Sequence, residues 1–97
     1  MKNKLKLILW GKKLQLPEDY DNLEFDGYEL KYNGNWYILY IYKNNEKIKE
    51  ILYWDNGNKW NECDYKNGKQ DGKGHEWREN GILMYEYNYK NGKLLDK

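Results

Sequence analysis

No serine, threonine, alanine or valine occurs anywhere in this 97-residue chain. Tyrosine is then the only hydroxyl side chain, and an activated serine or threonine nucleophile is excluded. Cysteine, histidine, proline and arginine occur once each, as Cys63, His75, Pro17 and Arg78. A lone cysteine forbids an internal disulfide, so a reducing, cytoplasmic location is expected. One cysteine and one histidine cannot close a metal site, and the acids lack the spacing of a calcium loop. Neither metal nor cofactor is therefore expected. A thiol–imidazole couple of Cys63 and His75 needs the fold to join them, and no third orienting group accompanies them. The chain is read as no enzyme. With a single arginine and a net charge of +1, it lacks the footprint of a phosphate-tracking surface, and direct nucleic-acid binding is not expected. Long apolar runs are also missing. Lys4 and Lys6 interrupt the leucines before Trp10 and no small-residue cleavage site follows, so neither a signal peptide nor a membrane span is expected.

What is present is ring and charge. The chain is 34% charged and 18% aromatic, with eleven tyrosines and five tryptophans. A chain of this length makes one domain with one modest core, built here from large rings and Leu/Ile. Its punctuation is periodic. Asn-Gly occurs at Asn33-Gly34, Asn56-Gly57 and Asn80-Gly81, and eight residues after each glycine stands a tyrosine, Tyr42, Tyr65 and Tyr89. Each opens a Tyr-Lys-Asn tripeptide followed by a turn residue, at Asn45, Gly68 and Gly92. The period is 23 and then 24 residues, and Trp54 and Trp77 each lie nine residues after their unit's second turn. Such a period marks stacked supersecondary units. Asn-Gly between alternating runs signals a type I′ turn, so each unit is expected to be a β-hairpin. Gly68, Gly72 and Gly74 join strand to strand and do not form a phosphate cradle.

The stretch Tyr65, Asn67-Gly68-Lys69, Gly72-Lys73-Gly74, Trp77 and Gly81 resembles the MORN repeat. The neighbouring copies keep the Tyr-Lys-Asn and Asn-Gly signposts but not the Gly-x-Gly, which is replaced by Lys49-Glu50-Ile51 in the first. Over residues 33–97 the chain is thus most similar to the degenerate bacterial MORN variant found in antitoxin-like proteins. The resemblance implies protein–protein interaction in bacterial conflict. MORN arrays also suggest phospholipid binding, but no basic stripe supports a membrane partner here.

The implied fold is all-β: an antiparallel meander of MORN-like β-hairpins in an open, partly single-layer sheet, capped at the N-terminus by a non-repeat β segment. Residues 1–97 form a single domain, with 1–32 as the cap and 33–97 as three repeats. Residues 2–10 alternate, with Leu5, Leu7 and Leu9 on one side, and predict a strand. Residues 36–42 are apolar on both faces, so something must cover the second face, and the segment from Leu5 to Phe25 is the candidate. Later strands lose that second face progressively. Residues 1–15 hold five lysines and no acid, whereas Glu18 to Glu29 hold six acids and no base. These two segments are expected either to pair with each other or to present an acidic patch to a basic partner. In the second case Asp19, Asp21, Glu24 and Asp26 supply charge while Leu23, Phe25 and Tyr28 act as anchors. Leu83, Tyr85, Tyr87 and Tyr89 are predicted to share one face and to pair across strands with Trp77 and Tyr65, so Tyr85, Tyr87 and Trp77 join the candidate contact residues.

The expected function is a non-enzymatic inhibitor that occludes a protein target. It serves either as an antitoxin or immunity protein, or as a phage-encoded anti-defence inhibitor such as an anti-CRISPR. The alternative is a structural MORN-type scaffold, monomeric or a homodimer through its C-terminal edge strand.

Overall fold

The computed structural model describes residues 2–95. A helix α1 (Lys2–Gly11) and a strap holding one 3-10 turn (Tyr20–Asn22) precede seven strands. The strands are β1 (Gly27–Tyr32), β2 (Trp36–Lys43), β3 (Glu46–Trp54), β4 (Lys59–Lys66), β5 (Lys69–Trp77), β6 (Leu83–Lys90) and β7 (Lys93–Leu94). They form one antiparallel sheet in the order β1 to β7, an open all-β meander. No helix among the described residues is long and apolar enough to cross a membrane.

Two kinds of turn alternate. At Asn44-Asn45, Asn67-Gly68 and Asn91-Gly92 both residues have positive φ, the type I′ geometry whose twist matches the strands it joins. The type I′ turns are therefore the second punctuation of each unit. The expectation that Asn33-Gly34, Asn56-Gly57 and Asn80-Gly81 take this form is corrected, because only their glycines have positive φ. There the asparagine Oδ1 accepts from the N–H two residues on, at Asn35, Asn58 and Ile82, bracing a wider loop. Register irregularities follow in each of the four pairings from β2/β3 to β5/β6. Such bulges coil the sheet.

The N-terminal cap is helical, which corrects the strand predicted for residues 2–10. Leu5 and Leu9 are fully buried while Leu7 is 68% exposed. An i, i+4 pair meets on one helix face, whereas a strand carries Leu7 inward with its neighbours. Leucine and lysine also favour the helix, and Ile8 is the only β-branched residue in the segment. The helix ends at Gly11, where Lys13 turns left-handed and the Leu14 N–H closes on the Leu9 carbonyl at 2.8 Å.

The helix and strap cover one face of the sheet. Leu5, Leu9, Leu14, Tyr20 and Leu23 pack with Leu39, Ile41, Ile51 and Tyr53 in a single core. This is the cover demanded by a β2 apolar on both faces. The row Leu30, Leu39, Ile51, Glu62, His75, Glu86 runs in register across β1 to β6 on this side. Its first half is aliphatic and its second half polar, and the core occupies the first half. The strap is pinned by Gln15: its N–H donates to the Gly57 carbonyl at 3.1 Å, its Oε1 accepts from Lys59 N at 2.8 Å, and its carbonyl accepts from the Tyr53 hydroxyl at 2.6 Å.

Candidate partner-binding face

Beyond the aliphatic core, the covered side of the sheet carries charge. Lys49, Lys59 and Glu62 are buried. Glu62 sits between the two ammonium groups, 3.2 Å from Lys49 and 2.9 Å from Lys59, and also accepts from the Glu18 N–H at 3.1 Å. Lys49 reaches Asp64 at 2.6 Å and Asp19 at 3.4 Å, and Lys59 reaches Glu18 at 2.9 Å. Burial opposes the charge on Lys49, but Glu62, Asp64 and Asp19 outweigh it and hold the ammonium above its ordinary range. The Lys59 ammonium also lies 4.8 Å from the centre of the Trp77 ring, which stacks on His75.

This cluster places much of the acidic segment. Glu18 and Asp19 pair with Lys59 and Lys49, so these first acids tie the strap to the sheet rather than to the basic N-terminus. Asp26 accepts from the Asn44 N–H at 3.0 Å, and Asp21 and Glu24 are exposed. Of the proposed anchors, Leu23 is buried in the core and so is corrected, while Phe25 and Tyr28 are partly buried and pack against that same core. Sequence reasoning missed Lys49, Lys59 and Glu62. The signal was present in the alternation Lys49, Ile51, Tyr53, which puts a lysine on the face that the aliphatics bury.

The opposite face of the sheet has no layer over it among the described residues. Its central row runs Glu29, Tyr40, Glu50, Cys63, Gly74, Tyr87 in register from β1 to β6. At the end with the wide loops, Trp54 and Trp60 stack at 4.6 Å and Trp36 meets Trp60 edge-on at 6.0 Å. Toward the type I′ turns the rings are tyrosines. The Lys47 ammonium lies 4.0 Å from the centre of Tyr65 and 5.3 Å from that of Tyr40, while pairing with Glu50 at 3.1 Å. Burial, with a hydrogen bond to Glu50, raises the Tyr65 phenol well above its usual range. Tyr85, Tyr87 and Tyr89 continue as a ladder with 6.0 and 6.1 Å between ring centres. The Gly-x-Gly has a role in this ladder, since a Cβ on Gly74 would come within 3.1 Å of the Tyr89 ring. Glycine lets the tyrosine lie flat on the sheet.

Two further expectations are corrected here. Trp77 is buried on the covered side, so it neither pairs with the tyrosine ladder nor faces a partner. Leu83 is set opposite Trp77 by the irregularity at Glu76/Trp77, and only Tyr85, Tyr87 and Tyr89 form the row. Tyr85 and Tyr87 stand on β6 whereas Glu24 and Asp26 precede β1, so about five strand spacings of roughly 4.8 Å separate the two groups of predicted contacts. They do not make one surface.

Cys63 and His75 stand on opposite faces, because Cys63 is in register with Gly74 and His75 with Glu62. The fold does not join them. Burial pushes the Cys63 thiol up to about 11, away from a reactive thiolate. No group of three or more His, Cys, Asp or Glu able to hold a metal ion occurs among the described residues. No family model, curated protein or solved structure matches the chain.

Proposed function

We propose that this protein is a non-enzymatic inhibitor that binds a protein target with its open aromatic face and acts by covering it. The observation that carries this reading is the asymmetry of the sheet. One side is closed by helix, strap and ion pairs, while the other presents Trp36, Trp54 and Trp60 with Tyr40, Tyr65, Tyr85, Tyr87 and Tyr89. Tyrosine and tryptophan give large, rigid contact area at little cost in side-chain entropy.

The area suffices. Six strand spacings of about 4.8 Å by eight residues of about 3.3 Å give roughly 750 Å², close to the roughly 800 Å² that each partner buries in a stable complex. The charge on this face supports a protein partner over nucleic acid, since Lys31 and Lys47 are paired with Glu29 and Glu50. The MORN resemblance supports a target in bacterial conflict, either a toxin or a defence effector such as a CRISPR nuclease.

Affinity capture from a nuclease-treated bacterial lysate tests the reading. The wild-type protein is expected to retain one stoichiometric protein. A Tyr40→Ala, Trp60→Ala double variant that still melts cooperatively is expected to lose it, and Glu24→Lys is expected to keep it. Recovery of nucleic acid alone, or capture unchanged in the double variant, overturns the proposal.

A further inference from the structure

Binding through the open face leaves the outer edge of the first strand unused. β1 pairs with β2 along its inner side, from Gly27↔Tyr42 to Tyr32↔Tyr37, and no strand stands on its other side among the described residues. The Asn33 N–H donates to the Trp36 carbonyl, which continues the register of that pair by one step. Residues that bond to the neighbouring strand alternate along an antiparallel pair, so Glu29 and Lys31 direct their backbone groups at β2. Those of Tyr28, Leu30 and Tyr32 point outward.

The side chains alternate as well. Tyr28 and Leu30 pack against the core on the covered side, and Tyr32 stacks there on Tyr37 at 4.4 Å. Leu30 begins the aliphatic row but is only half-buried, whereas Leu39 and Ile51 behind it are fully buried. The row stops short at its edge. Glu29 and Lys31 lie on the open side, 51% and 60% exposed, joined by a bridge of 3.8 Å. Read from either end, residues 28–32 run aromatic, charge, leucine, opposite charge, aromatic.

We propose that the outer edge of β1 joins two copies of this chain, antiparallel and centred on Leu30. A two-fold antiparallel pair always sets one residue opposite itself, and the charges choose which. Centring on Glu29 brings two glutamates together, and centring on Lys31 two lysines. Centring on Tyr28 or Tyr32 shortens the overlap and leaves neither charge an opposite one. Centred on Leu30, each Glu29 faces Lys31 of the second copy, Tyr28 faces Tyr32, and the two leucines meet. Tyr28, Leu30 and Tyr32 then exchange about six backbone hydrogen bonds, while the charges occupy the closer, non-bonded positions. The aliphatic row runs on into the second copy. Charges on an exposed edge ordinarily turn other strands away, and an identical strand running the other way is the one that answers them. Both open faces lie on the same side of the joined sheet, because the two-fold axis is normal to it. The site is independent of the aromatic-face reading, since it engages an edge and needs no target.

Sedimentation velocity of the full chain from about 1 to 500 μM gives the test. So short an edge buries less than a standard interface, so a reversible dimer with Kd on the order of 10 μM is expected. Glu29→Lys and Lys31→Glu, both at exposed positions, each set like charges opposite one another and are expected to weaken the dimer about tenfold. An equimolar mixture of these two variants, and the double variant Glu29→Lys, Lys31→Glu, each restore opposite charges across the axis and are expected to dimerise like the wild type. Residue-resolved amide exchange is expected to slow at Tyr28, Leu30 and Tyr32 as the dimer forms. A chain that stays monomeric throughout, or that grows into open polymers, overturns the proposal. So does a dimer indifferent to the single variants, a double variant that fails to recover, or protection gained on other strands instead. No target protein is present in any arm, so these outcomes leave the aromatic-face reading to its own capture experiment.

Discussion

Replacing Glu62 by glutamine removes one negative charge from the most enclosed part of the molecule and little else. Glu62 is 2% exposed and lies within 3.2 Å of both Lys49 and Lys59. Glutamine keeps the shape and an oxygen for the Glu18 N–H, but the two buried ammonium groups then face each other without the anion between them. Breaking one partner out of a buried ion pair costs about 3 to 5 kcal/mol. Asp64, Asp19 and Glu18 remain as partly exposed partners, so the lower end, about 3 kcal/mol, is expected. A domain of this size has a total stability of roughly 5 to 15 kcal/mol and loses about 4 to 8 °C of Tm per kcal/mol. Glu62→Gln should therefore lower Tm by about 12 to 24 °C. Thermal unfolding followed by far-UV circular dichroism measures this, with urea unfolding as a second route to the same difference. Glu29→Gln is the control: its bridge to Lys31 spans 3.8 Å between side chains 51% and 60% exposed. That change should stay within about 0.5 kcal/mol. If Glu62→Gln melts no lower than Glu29→Gln, the ion cluster does not hold the strap to the sheet and the reasoning fails.

Gly57 and Gly34 have almost the same positive φ, +93° and +95°, yet a Cβ on Gly57 collides with the Lys13 carbonyl whereas one on Gly34 meets open space. Gly34→Ala is expected to cost about 1 to 2 kcal/mol from the backbone alone, and Gly57→Ala about 1 to 3 kcal/mol more by displacing the strap. Equal losses in denaturant melts would refute that placement. Tyr53→Phe leaves the Gln15 carbonyl without its 2.6 Å donor and is expected to cost about 1 kcal/mol with no change in the near-native spectrum. A melt indistinguishable from wild type speaks against that bond. Burial lifts the Cys63 thiol from an ordinary value of 9.0 to about 11, so its contribution to stability is complete below pH 9 and is lost as the pH rises toward 11. Alkylation by iodoacetamide at pH 8 is expected to be about a hundredfold slower in the folded protein than in urea, and equal rates would contradict the buried placement.

The turn chemistry shows how much is local. Asn67-Gly68 and Asn91-Gly92 bend the chain because asparagine and glycine tolerate positive φ, which requires nothing beyond the two residues and their flanking strands. The strand order β1 to β7 follows directly, since consecutive tight turns leave a meander as the short route. The need for a cover on β2 was also legible from residues 36–42. What was misread at the N-terminus has a definite cause. Leu5, Leu7 and Leu9 satisfy a period of two, while Leu5 and Leu9 alone satisfy i, i+4, and a segment this short carries both patterns. Trp77 was misassigned for a related reason, because faces counted along a strand invert wherever a bulge intervenes, and the irregularity at Glu76/Trp77 lies beside it.

The amino-acid sequence alone determined the repeat, the antiparallel meander and a sheet with an aromatic side, because each rests on spacing along the chain and on the φ preferences of single residues. Tertiary structure decided that the cap is a helix, that Glu18 and Asp19 serve the fold, and that Lys49, Lys59 and Glu62 are buried together. Those outcomes depend on which surfaces meet. Burying a charge is tolerable only once its partners from the strap, β3 and β4 converge on it, and no spacing along the chain specifies that convergence.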